Sequence, residues 1–129
     1  MTISSEAHFI LYVFDQQIST RFYIETLGIQ PRLNVPGMTE FDLSDGAVLG
    51  LMPYESISRL IGRQINSATE AAPKAEIYLI VDDPHSFHRR AIAAGAAELS
   101  PMQARDWGHE AAYSIDIDGN VIAFARVVG

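Results

Sequence analysis

The residues able to do chemistry are few and scattered. The 129-residue sequence holds four histidines and no cysteine. Thiolate nucleophiles, disulfides and thiolate-held zinc are therefore excluded, and any reaction rests on imidazole, carboxylate and phenol groups. His8 lies near the start of one apolar stretch, and Glu76 opens a similar stretch in the second half. An imidazole with a carboxylate is a minimal acid/base pair, the acid orienting the ring that takes the proton. His85 and His88 stand three apart and are followed by Arg89 and Arg90, a pattern that reads as a solvated helix face. His109 follows Trp107 in a loop, and spacing assigns it no partner. There is no Gly-x-Ser-x-Gly, no glycine-rich phosphate loop and no His-Glu-x-x-His, so the common nucleophile, phosphate and zinc-hydrolase patterns are missing.

The elements that must position these residues fit one domain. A chain of this length buries roughly two-thirds of its unfolded surface, enough for a core without staples. Hydrophobic residues at 48% and charged residues at 19% are those of an ordinary globular protein. Sixteen acidic against nine basic residues give a net charge of −7, and the basic ones form no stripe, which argues against a nucleic-acid partner. The acidic balance would suit a cationic ligand. Apolar runs fall short of a membrane span, and Met1 to Glu6 has no basic region leading into an apolar one; the expectation is a cytoplasmic protein without a membrane partner.

Along the chain, Ala7 to Phe14 is a strand, Asp15 a helix N-cap, and Ile18, Phe22 and Leu27 an apolar helical face closed by Gly28. Three short strands are expected around 30–35, 39–43 and 47–52, separated by Pro36-Gly37 and Ser44-Asp45-Gly46. Residues 53–74 read as a linker, with a turn or two of helix at Ile57, Leu60 and Ile61 and a mobile "NSATEAAPK". The pattern then restarts. A strand at 76–81 precedes Asp83-Pro84, a helix start, with Phe87, Ala91 and Ala94 as its apolar face and Gly95 at its end. Strands at 96–100, 111–117 and 121–127 follow, the first two separated by a long loop through Trp107-Gly108. The order β-α-β-β-β is thus written twice, as 1–52 and 75–129. His8 to Gly28 spans 20 positions and Glu76 to Gly95 spans 19, while "SDGAVLGL" aligns with "IDGNVIAF".

The "FYIETLG" segment after a "HFILYVFD" strand, together with "DIDGNVIAF", resembles the vicinal oxygen chelate superfamily. This is the group of glyoxalase I, extradiol dioxygenases and bleomycin-resistance proteins. The resemblance implies an α+β fold in which two βαβββ modules form curved mixed sheets around a cleft. It also implies a divalent metal held by one side chain from the first and last strand of each module, places that map onto His8, Gly50, Glu76 and Ala123. Glycine and alanine bring no donor atom, which leaves one imidazole and one carboxylate where three or four protein ligands are usual.

If His8 faces the cleft, strand alternation sends Ile10 and Tyr12 there too and puts Phe9, Leu11 and Val13 against the helix. The same rule gives Val48, Gly50 and Met52; Glu76, Tyr78 and Ile80; and Val121, Ala123 and Ala125. The candidate ligand-binding residues are therefore His8, Tyr12, Met52, Glu76, Tyr78, Trp107 and Tyr113, with no metal and no cofactor. They suggest a cytoplasmic homodimer that binds an apolar, aromatic or cationic small molecule, an antibiotic or a metabolite. A glyoxalase-type lyase or isomerase with a rearranged metal site is the alternative. A third is a dimerisation module whose cleft is filled by Met52, Tyr12 and Tyr78.

Overall fold

The structure, a computed structural model, describes residues 3, 6–65 and 73–128. The elements run β1 (Ala7–Val13), α1 (Gln16–Leu27), β2 (Leu33–Val35), β3 (Met38–Ser44), β4 (Ala47–Pro53), α2 (Tyr54–Ile61), β5 (Glu76–Ile80), α3 (Pro84–Ala94), β6 (Ala97–Ala104), β7 (His109–Ile115) and β8 (Val121–Val127). The chain divides into two compact units, one carrying β1 to β4 with α2 and most of α1, the other β5 to β8 with α3. None of the described helices is long and apolar enough to cross a membrane.

Each unit holds one four-stranded mixed sheet, and the two sheets repeat one topology. The orders are β1-β4-β3-β2 and β5-β8-β7-β6. In each, the outer first strand pairs in parallel with the last, and the remaining pairs are antiparallel. The fold is α+β and neither sheet closes into a barrel.

In the first unit, alternation along β3 sends Thr39 and Phe41 into the core and Glu40 and Asp42 to the opposite face. The buried face meets α1, where the Tyr23 and Phe41 rings lie 6.4 Å apart and the Thr20 and Thr39 hydroxyls 2.8 Å apart. Asp15 caps α1 by accepting from the Ile18 amide at 3.0 Å, and Gly28 ends it in the left-handed region that a side chain disfavours. In the second unit Asp83 accepts from the Ser86 amide at 3.3 Å, with Pro84 in the first turn. Phe87 of α3 then packs on the buried Phe124 ring at 5.3 Å.

Several expectations change. Ile18 is 53% exposed, because the buried stripe of α1 runs through Ser19, Phe22, Tyr23 and Thr26. Phe9 stays 56% exposed, since β1 is the outer strand of its sheet, while Val13 is fully buried. β2 is three residues long and starts only after Pro31, which lacks the amide a ladder needs. The long loop around Trp107 is mostly strand: β6 runs through Pro101 to Ala104, and β7 starts at His109. His88 is 7% exposed rather than solvated, its Nε2 2.9 Å from Glu98 Oε2. The helix after β4 covers Tyr54–Ile61, and the segment read as mobile lies largely outside the described residues.

Two substitutions measure these supports. Asp15→Ala removes one cap and is expected to lower unfolding free energy by about 1 kcal/mol. Phe124→Ala empties a packed core position and is expected to cost about 3–5 kcal/mol. Urea unfolding followed by circular dichroism checks both, and equal losses would contradict this ranking.

Candidate functional site

In each sheet the face away from its helix carries the candidate residues, and a small residue sits at its middle. In the first unit His8, Ile10 and Tyr12 of β1 lie beside Val48, Gly50 and Met52 of β4, and Glu40 of β3 is the other neighbour of Gly50. A Cβ placed on Gly50 would stand 3.0 Å from Ile10 Cγ1 and 3.2 Å from Met38 Sδ. The Ile10 and Met38 side chains therefore crowd the place a Cβ would take. Tyr12 packs 5.9 Å from Tyr54, and Met52 borders a hollow of about 420 Å³ shared with Met38, Ser56 and Leu60.

The charged groups on that face form one network that the sequence reading missed. Arg32 donates to Glu6 Oε1 at 2.7 Å, to Glu40 Oε1 at 3.0 Å and to Asp42 Oδ1 at 3.0 Å. His8 Nε2 lies 3.0 Å from Glu6 Oε1, and Nδ1 lies 3.4 Å from Glu40 Oε2. The Arg32 hydrogen bond, followed by that from His8, holds the Glu6 carboxyl down from its ordinary 4.5 to about 2. Arg32 in turn keeps its proton more tightly through hydrogen bonds to Glu6 and Glu40. Glu6 and Glu40 thus give His8 carboxylate partners within its own unit. Glu40 and Asp42 were legible as alternate charges in "MTEFDLS", but nothing local tied Arg32 to them.

In the second unit Tyr78 of β5 and Tyr113 of β7 flank Ala123 of β8 on either side in register. Ala123 is fully buried, and its methyl group lets the two rings approach to 6.5 Å between centroids. The Tyr78 hydroxyl lies 2.7 Å from His109 Nδ1 and accepts from Trp107 Nε1 at 3.0 Å. Trp107 is 55% exposed in a tight turn where the Arg105 amide donates to the His109 carbonyl at 2.7 Å and Gly108 takes positive φ. Arg105, also missed, donates to the Ala111 carbonyl at 2.7 Å and lies 5.0 Å from the centre of the Tyr113 ring. Burial, then the nearby Glu76 and Tyr78, raise the Tyr113 phenol above its usual range. Spacing left His109 alone; the structure gives it a partner 31 residues away.

The metal that the resemblance implies does not fit these residues. Gly50 and Ala123 bring no donor, the space over Gly50 is occupied, and both nitrogens of His8 face carboxylates within the Arg32 network. No group of three or more His, Asp or Glu side chains is placed to hold an ion among the described residues.

Two small mixed sheets of identical order, each with a helix on one face, define the glyoxalase-like fold. A family model for the glyoxalase/bleomycin resistance protein/dioxygenase superfamily matches residues 6–124, and the chain belongs to that superfamily. No match was found among proteins of curated function. A glyoxalase-related enzyme from Fulvimarina pelagi is 24% identical with a TM-score of 0.80, covering 96% of this chain and 88% of its own. A glyoxalase/bleomycin resistance protein/dioxygenase family enzyme from Burkholderia phytofirmans is 18% identical with a TM-score of 0.81, covering 97% and 100%. A glyoxalase/bleomycin resistance protein from Albidiferax ferrireducens is 23% identical with a TM-score of 0.72, covering 93% and 97%. Similarity at these identities speaks for the fold alone.

The Glu6 carboxyl gives a pH prediction. Its folded pKa lies below its ordinary value, so its contribution to stability is fully present above about 4.5 and fades as pH falls toward 2. A carbon-detected NMR titration is expected to find Glu6 ionising near 2, and Arg32→Ala to return it toward 4.5. An unchanged midpoint in the variant would remove Arg32 as the cause.

Proposed function

We propose that this chain binds a small planar molecule, aromatic or cationic, without a metal, on the open face of the second sheet. The carrying observation is the floor at Ala123, where the Tyr78 and Tyr113 rings and the Trp107 indole gather near the Glu76 carboxylate. Rings supply stacking area and attract cations, and a carboxylate adds charge complementarity. The acidic balance of −7 acts in the same direction at long range. A glyoxalase-type reaction instead needs an enediolate stabilised, ordinarily by a Lewis acid, and the donors at the family positions are half the usual set.

His8, Tyr12 and Met52 belong to this reading as contacts on the first sheet. The same reading makes the protein a cytoplasmic homodimer, with 1–52 and 75–129 as its modules and 53–74 as the connection. The outer strands β1 and β5 support association, since Phe9, Ile10 and Ile80 are exposed on strands that end the order of their sheets among the described residues. Light scattering on the purified protein is expected to give twice the chain mass of 14.2 kDa; a monomer mass would remove the dimer from the reading.

Trp107 is the single tryptophan of the chain, so its fluorescence reports on this face directly. Titration with a panel of planar and cationic compounds is expected to quench it saturably. Trp107→Ala, followed by calorimetry, is expected to weaken binding by about 1–2 kcal/mol. Absence of binding across the panel would sink the proposal. Stoichiometric metal in protein purified without chelator, with hemithioacetal turnover on adding nickel or zinc, would replace it by the glyoxalase-type reading.

A further inference from the structure

The Trp107–Tyr78–His109 chain says more about the ligand than the rings alone. An indole N–H donates and never accepts, so the 3.0 Å contact from Trp107 Nε1 occupies a lone pair of the Tyr78 oxygen. Among the described residues the acceptor within hydrogen-bond distance of that hydroxyl proton is His109 Nδ1 at 2.7 Å. A neutral imidazole that accepts at Nδ1 carries its proton at Nε2. No hydrogen bond or ion pair occupies His109 Nε2 among the described residues, and the ring is half-buried.

We propose that this chain is a polarity lock, which fixes His109 as the Nε2–H tautomer and makes it a hydrogen-bond donor to the ligand. The ligand class narrows accordingly to a planar molecule that bears an oxygen acceptor, such as a carbonyl, at the edge of its ring system. The inference rests on the binding reading above and deepens it.

The local structure holds the lock in place from both ends. Tyr78 and His109 belong to strands of one sheet, β5 and β7, joined through β8. Trp107 sits in the turn that Arg105 braces through its amide to the His109 carbonyl and its guanidinium to the Ala111 carbonyl. The rings of Tyr78 and His109 lie 5.8 Å apart and 31° from parallel. A hydroxyl removed from Tyr78 therefore frees the imidazole to change tautomer while leaving the aromatic floor in place. Tyr78 is in this sense a positioning residue, acting through His109.

Two measurements test the lock separately from binding itself. Long-range nitrogen–proton NMR of the ligand-free protein reads the tautomer, and is expected to show His109 Nε2 protonated and Nδ1 bare. In Tyr78→Phe the two tautomers are expected to mix. Calorimetry then compares 2-acetylnaphthalene with 2-ethylnaphthalene, which share shape and differ in the carbonyl. The wild-type protein is expected to prefer the ketone by about three- to tenfold, the range of one hydrogen bond, and Tyr78→Phe to reduce that ratio toward one. A protonated Nδ1 in the wild type, or equal affinity for the two probes, overturns the lock and leaves the binding reading standing. Failure of both probes to bind overturns the lock and counts against the binding reading as well.

Discussion

The open faces of both sheets depend on the size of one side chain in the strand that pairs in parallel with the outer strand. Ala123 in β8 lies between Tyr78 and Tyr113, and Gly50 in β4 lies between Ile10 and Glu40. In a sheet, neighbours in register present their side chains on the same face at close range. A large residue at either centre would force its neighbours outward. A small one lets them lean inward, and what they bring decides what the face can do. In the second unit two phenol rings converge over a methyl group. In the first, Ile10 and Met38 close over a hydrogen atom while Glu40 turns to the Arg32 network. One topology with the same small centre thus yields two different surfaces.

The two surfaces differ in how their polar groups are matched. Arg32 is shared among three carboxylates and His8 is held between two of them, so that face is occupied with its own charges. Most of its members are half-exposed, and solvent screens what they contribute to stability. The aromatic face is the reverse. Its aromatic side chains are linked in a line from Trp107 through Tyr78 to His109, and His109 Nε2 at the end of that line has no partner among the described residues. Unspent donors beside apolar rings are the usual character of a surface that meets a small molecule.

Much of the architecture was legible. The repeat, the capping aspartates Asp15 and Asp83, the terminating Gly28 and Gly95 and the inward set of each central strand follow from local spacing, because period-two alternation and helix-end geometry are written within a few residues. The errors fall where tertiary position overrides local preference. Pro101 reads as a strand end, yet β6 continues through it, because β6 is an edge strand whose register shifts between Ser100 and Gln103. His88 reads as surface beside two arginines, yet its ring is buried and reaches out to the exposed Glu98. The site was legible as a set of facing positions and not as a set of bonds. Arg32 lies 26 residues from Glu6, and His109 lies 31 from Tyr78, separations at which only the strand register decides who meets.

The crowding over Gly50 has a consequence for what position 50 can hold. A side chain placed there would bring its Cβ to 3.0 Å from Ile10 Cγ1 and 3.2 Å from Met38 Sδ, so those two side chains would have to give by a few tenths of an ångström. Position 50 is therefore in packing contact with positions 10 and 38, and a change at one is felt at the others. What position 50 can hold is thus decided by two neighbouring side chains, on β1 and β3, and not by the backbone of the sheet.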